Sequence, residues 1–216
     1  MYRAVIFDMD GLLIDTEPIS YQVIGKLLKS FGEDFSMAEY TAHYSGKTEV
    51  QNTAAIIARY GLSLSQAEVM AKTDALEREL LSGGAPLKPG AKALLAHLRA
   101  RGIKTAIATS STRERAWKLL DQHNLRPSFD AFVFGDEIRH GKPAPDVFLL
   151  AAEKLAAPPQ ECLVLEDSEP GIRAAHAAGI DVICVPDLKV PEEECRKLLL
   201  AQCESLTEVM AYVPET

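Results

Sequence analysis

Hydrophobic residues are spaced in two ways along this chain, and the change from one to the other divides the sequence. Five short, continuous apolar runs occur at 4–7 (AVIF), 105–108 (TAIA), 131–134 (AFVF), 162–165 (CLVL) and 182–185 (VICV). Runs of this length, rich in β-branched or aromatic residues, fit strands buried on both faces of a parallel sheet. Among the last four runs the spacing lengthens to the helical period. "GAKALLAHLRARG" precedes the second run and "TRERAWKLLDQHN" follows it, with Thr112 placed to cap the helix. "PDVFLLAAEKLAA" and "SEPGIRAAHAAG" flank the fourth. The alternation predicts an α/β fold with a Rossmann-like parallel sheet covered on both faces.

Between the first and second runs the alternation stops. "ISYQVIGKLLKSFG" places apolar residues at 19, 23, 24, 27, 28 and 31, a helical stripe that Gly32 can end. Ser36 with Glu39, and Ser65 with Glu68, have the spacing of capping boxes, and "TEVQNTAAIIARYG" ends in another glycine. These patterns predict an all-helical domain at 16–83 inserted into a core made of 1–15 and 84–216. "DTEP" and "SGGAPLKPG" are the connections, where a hinge is expected.

Composition narrows the function classes. The chain has 216 residues, 47% hydrophobic and 25% charged, enough for a substantial core. Its net charge of −8 argues against nucleic acid or an anionic membrane as partner. The N-terminal residues run straight into a strand with no signal-peptide pattern, and no stretch approaches the ~20 apolar residues needed to span a bilayer. Cys162, Cys184, Cys195 and Cys203 show no C-x-x-C spacing, and the first two read as small core residues. A cytoplasmic, reduced protein is expected. Nothing resembles a coiled coil or a long exposed sheet edge, so a monomer is expected too.

The candidate chemistry starts in "VIFDMDGLLIDTEP", where Asp8 ends the first strand and Asp10 follows two residues later. Ligands of open parallel sheets bind beyond the carboxyl ends of the strands. After the first strand come Asp8 and Asp10, and after the second Thr109, Ser110 and Ser111. Lys142 follows the third, in "HGKPAPD", and Glu166 with Asp167 follow the fourth. Each has an ordinary explanation by itself: a turn-starting aspartate, a helix cap, acidic charges at a helix start, a solvated lysine. Together, several carboxylates need a cation, an all-oxygen set suits Mg²⁺, and a lysine with hydroxyls beside it receives a phosphoryl group. The implied partner is a small phosphorylated metabolite.

"FDMDGLLIDTEP", "IATSS", "GKPAPDVF" and "LVLEDSEPGI", in this order, resemble the haloacid dehalogenase superfamily, in its phosphatase and β-phosphoglucomutase branch with a helical cap. The resemblance implies that Asp8 is the nucleophile and forms an aspartyl-phosphate. Asp10 would protonate the leaving alcohol and then activate water, work that favours a carboxyl with a raised pKa. Thr109, Ser110 and nearby amides would bind phosphoryl oxygens, and Lys142 would offset charge. Asp8, the Asp10 carbonyl, Glu166 and Asp167 would hold Mg²⁺. Dehalogenases and phosphonatases of the family lack the second aspartate, so its presence favours phosphate esters, and the "DKTGT" of ion pumps is absent. In the cap, "YSGKTEV" is the expected specificity loop, with Lys47 and, on the last cap helix, Lys72 as candidate substrate contacts. The mutases carry a histidine shortly after "DT", whereas this chain reads "TEPISYQ". A phosphatase acting on a sugar phosphate or similar monoester is therefore expected. A phosphomutase using the same intermediate and a non-catalytic ligand-binding protein are the alternatives. His43, His97, His123, His140 and His176 have no metal-ligand spacing, and Trp117 reads as core packing.

Overall fold

The structure is a computed structural model and describes residues 2–213. By its internal contacts the chain divides into two compact units, Met1–Asp15 with Pro86–Thr216, and Thr16–Ala85.

The first unit is built on a parallel sheet. Strands β1 (Ala4–Phe7), β2 (Lys104–Ala108), β3 (Ala131–Val133), β4 (Cys162–Glu166), β5 (Asp181–Cys184) and β6 (Ala201–Gln202) lie in the order β3-β2-β1-β4-β5-β6. The order reverses beside β1, so the crevice where parallel sheets bind ligands falls between β1 and its neighbours. The register aligns the strand ends there: Phe7 pairs with both Ile107 and Leu165. The residues that follow β1, β2 and β4 therefore emerge along one edge.

Helices α7 (Asp146–Lys154) and α8 (Glu169–Ala177) put Val147, Phe148, Ile172 and Ala175 against Ala4, Ile6, Cys162 and Val164. The alternate strand residues Val5 and Phe7 are equally buried, and α5 (Ala91–Ala100) packs on β2. A strand with both faces covered has no polar side to show, which is why these runs are continuously apolar. Helix α6 (Arg113–Gln122) follows β2, capped by Thr112, whose hydroxyl accepts from the Arg115 N–H. Trp117 on α6 packs edge-on against Phe132 and Phe134.

In "PEEECRKLLL" the acidic first turn starts α9 (Glu193–Arg196), a single turn after which the chain adds β6 to the sheet edge. A two-residue strand carries no periodicity to recognise. Phe134, expected at the end of the third strand, lies just beyond β3.

The second unit contains α1 (Glu17–Lys29), α2 (Met37–His43), α3 (Glu49–Tyr60) and α4 (Gln66–Leu81) around Ile24, Leu27, Leu28, Tyr40, Tyr44, Ile56 and Val69. Ser36 caps α2, complete capping boxes start α3 at Thr48 and α4 at Ser65, and Gly61 ends α3 with φ +59°. The stripe read into the first helix overshoots by one position: α1 ends at Lys29, and Phe31 beyond it is 41% exposed.

Candidate active site

Asp8 lies at the carboxyl end of the central strand, fixed by its N–H, which donates to Leu165 O at 3.0 Å. Its side chain is almost wholly buried. Glu166 ends the neighbouring strand with no exposure at all. Lys142, whose side chain is 6% exposed, donates through its ammonium to Asp8 Oδ1 and, at 2.5 Å, to Glu166 Oε1. Glu166 Oε2 accepts from the Asp167 and Ser168 N–H groups and from Ser168 Oγ, all at 2.9 Å. This carboxylate therefore ties β4 to the start of α8. Gly171 permits the approach, since a Cβ there would lie 1.7 Å from Glu166 Oε1.

The Asp8 carboxyl is pushed up from 3.8 to about 7, chiefly by burial; Lys142 pulls it down, and Glu166 and Asp10 add to the rise. Burial disfavours the Lys142 ammonium, but Asp8 and Glu166 outweigh this and keep it protonated. Asp8, Glu166 and Asp167 each offer an oxygen within 4.8 Å of the others. Lys142 pairs with two of the three, Asp8 and Glu166. A hard divalent cation with oxygen ligands fits this donor chemistry, and Mg²⁺ is the ordinary choice for such a set.

Asp10 sits on a different set of partners. After Met9, which is fully buried, the chain folds back through Gly11: the Leu13 and Ile14 N–H groups donate to Met9 O, and Gly11 N donates to Ile14 O. This turn lifts Asp10 toward β2. There Ser111 Oγ donates to Asp10 Oδ2 at 2.7 Å, and Arg115 Nη1 donates to Asp10 Oδ1 at 2.7 Å and to Ser111 Oγ at 2.6 Å. Thr109, buried at the end of β2, directs its hydroxyl to the same carboxylate at 3.5 Å and accepts from the Ser111 N–H at 3.0 Å. Ser110 between them is exposed, and its carbonyl lies against Gly135, where a Cβ would come within 2.2 Å.

The structure thus brings Asp8, Asp10, Thr109, Lys142, Glu166 and Asp167 to one edge of the first unit, with Ser110 on the same loop. Lys47 and Lys72 belong to the second unit and are exposed there. Lys47 Nζ donates to His43 O at 2.6 Å, closing off the end of α2. Lys72 lies one turn along α4 from Glu68.

Ser111, already named in the hydroxyl run after β2, is the member of that run placed on Asp10. Two residues at the first unit's edge escape the sequence reading as site members. Arg115 has a signal in hindsight: a cation in the first turn of a helix opposes the helix dipole and needs a local reason. Asp187 follows β5 and would have been found by extending the strand-end rule one strand further. Its Oδ1 accepts from Lys88 Nζ at 2.7 Å, and Asp15 Oδ1 lies 3.9 Å from the same ammonium. Lys88 comes from the connection "SGGAPLKPG", which is anchored by the Lys88 N–H on Leu13 O and by pairing of Ile14 with Leu87.

The sequence model of the haloacid dehalogenase-like hydrolases matches residues 2–179. The chain is 32% identical over 181 residues to a phosphorylated carbohydrates phosphatase of Thermotoga maritima, covering 84% of this chain and 83% of that one. It is 36% identical over 190 residues to the fructose-1-phosphate phosphatase of Escherichia coli K12, covering 85% and 96%. Among solved structures, CbbY of Rhodobacter sphaeroides in complex with phosphate superposes with a TM-score of 0.80 at 27% identity, covering 97% of this chain and 96% of that one.

Proposed function

The chain belongs to the haloacid dehalogenase-like hydrolases and is a phosphoric monoester hydrolase, and we propose that it acts on a small phosphorylated carbohydrate, with Mg²⁺, through an aspartyl-phosphate on Asp8. The observation that carries this reading is the placement of Asp8: a buried carboxylate at a strand end, held by Lys142 and bordered by Glu166 and Asp167. A nucleophile at this place has a counter-charge beside it and carboxylates that can hold a cation near the transferring group.

In the proposed sequence an Asp8 oxygen attacks phosphorus, and the ester alcohol departs with a proton from Asp10. Water then attacks the aspartyl-phosphate, Asp10 accepts its proton, and the Asp8–phosphorus bond breaks to release orthophosphate. Ser111 and Arg115 orient the Asp10 carboxyl for both steps. Thr109, Ser110 and neighbouring amides receive phosphoryl oxygens. Lys142 neutralises charge that gathers between the nucleophile and the phosphoryl group, the kind of stabilisation a loose transition state depends on. Asp8, Asp167, Glu166 and the Asp10 carbonyl would hold Mg²⁺, which supplies electrostatic stabilisation of the transferring group when bound.

The second unit is proposed as the cap, with Lys47 and Lys72 as its substrate contacts. The relatives that carry the carbohydrate reading are phosphatases by name, and the segment after Thr16 has no histidine, so hydrolysis is preferred to mutase chemistry.

The test is to incubate the protein and Mg²⁺ with sugar and nucleoside monophosphates, including β-glucose 1-phosphate, and follow products by phosphorus NMR. Orthophosphate release that drops at least about 10³-fold in Asp8→Asn is expected. Glucose 6-phosphate without orthophosphate would make the protein a mutase, and equal turnover by Asp8→Asn would remove the nucleophile.

A further inference from the structure

We propose that Asp187 belongs to the cation site as an outer partner, accepting a hydrogen bond from a water carried by the cation that Asp8, Glu166 and Asp167 hold. The inference rests on the reading of that trio as a Mg²⁺ site.

The observation behind it is an unpaired atom. The Asp187 side chain is 8% exposed. Its Oδ1 is satisfied by Lys88, yet its Oδ2 is buried with no hydrogen-bond partner. A buried carboxylate oxygen without a donor is costly, and native proteins rarely leave one so unless something binds there.

The direction of the orphaned oxygen says what that something is. A Cβ built on Gly11 would lie 2.4 Å from Asp167 Oδ2 and 3.3 Å from Asp187 Oδ2. The two oxygens therefore face one small space above the glycine, and Asp167 is a member of the cation trio. Asp187 is not in the set whose oxygens all lie within 4.8 Å of one another, so it stands back from direct coordination. That places it where a ligand water would be. Mg²⁺ gives up its waters reluctantly and is commonly bound through a few carboxylates with the remaining positions hydrated. Such waters need acceptors, and outer-shell carboxylates supply them.

Lys88 completes the arrangement. Its backbone is fixed on Leu13, and its ammonium lies between Asp187 Oδ1 and Asp15 Oδ1. It neutralises one Asp187 oxygen and leaves the other turned toward Gly11. In this role Lys88 and Asp187 are positioning residues and do not touch the substrate.

The experiment is calorimetric titration of the full chain with MgCl₂, comparing wild type, Asp187→Asn and Asp15→Asn, with apo melting temperatures recorded alongside. The expected result is a Kd for Mg²⁺ raised about 10- to 100-fold in Asp187→Asn. Asp15→Asn, which removes the same charge beside the same lysine, should stay within about threefold of wild type, a shift of less than ~0.7 kcal/mol. If the asparagine disturbs the fold, Asp187→Ser is read by the same criterion. Wild-type affinity in the Asp187 variant, or an equal loss in Asp15→Asn, overturns the proposal and leaves the Mg²⁺ site intact. A wild-type protein that takes up no Mg²⁺ overturns both.

Discussion

Asp8 is a carboxyl buried among carboxyls, and what makes it serviceable is the company of one ammonium and room for a cation. Asp10, two residues away, has a different problem. In the proposed mechanism it presents one oxygen to the leaving group, and its side chain is 28% exposed, so its orientation depends on its partners. Arg115 and Ser111 hold it from two sides. Removing the guanidinium should leave Asp8 and the cation trio in place while loosening Asp10. Because a misplacement of about 1 Å can cost on the order of 10²-fold in rate, Arg115→Ala is expected to lower kcat about 10- to 100-fold. Mg²⁺ affinity should change little, and Arg115→Lys should recover part of the loss. Steady-state kinetics beside a Mg²⁺ titration checks this; an unchanged kcat would show that Arg115 is a surface partner of Asp10 and nothing more.

Among the elements, the turn after β1 decides the geometry of both aspartates. Met9, Leu12, Leu13 and Ile14 are fully buried, so the segment is anchored as firmly as a strand while reversing direction through Gly11. Gly11 has φ +82°, and a Cβ there would run into Asp167 Oδ2 at 2.4 Å. Only glycine satisfies both demands. Gly11→Ala is therefore expected to destabilise the protein by roughly 1–3 kcal/mol through backbone strain. It should also push Asp167 out of the cation trio, so that Mg²⁺ binding and turnover fall together. Urea unfolding and a Mg²⁺ titration on the same preparation test it, and a variant with wild-type affinity would contradict the crowding seen at this turn.

At the scale of the whole molecule, the burial of Asp8 should show in stability. With Mg²⁺ chelated, the folded protein keeps a proton on Asp8 up to about pH 7, whereas the unfolded chain releases it near 3.8. Between those values the folded state binds more protons, so this group's contribution to stability falls as pH rises from about 4 to 7. Wild type in EDTA is expected to lose more melting temperature between pH 5 and pH 8 than Asp8→Asn does. Adding Mg²⁺ at about 100 times its Kd should return about 2.7 kcal/mol, which for a chain of this length is about 5 °C or more. Scanning calorimetry reads both effects, and indifference to Mg²⁺ would detach the cation from the carboxylate trio.

The sequence alone determined the strands of the sheet's interior, the helical interruption after the first of them and the cap residues Ser36, Ser65 and Thr112, because each is written in local spacing. It also determined which residues leave the strand ends, since in a parallel sheet the register brings strand termini to a common edge. Asp8, Asp10, Thr109, Lys142, Glu166 and Asp167 were legible for that reason. Partners chosen across the fold were not legible. Arg115 meets Asp10 more than a hundred residues away, and Lys88 meets Asp187 across ninety-nine. Such pairings depend on how two loops face one another, which no periodicity records. Strand β6 escaped for a related reason, since two residues become a strand only when β5 offers an edge to pair with. Local pattern sets what each segment becomes, and only the assembled sheet decides which charges must share a space and which oxygen is left without a donor.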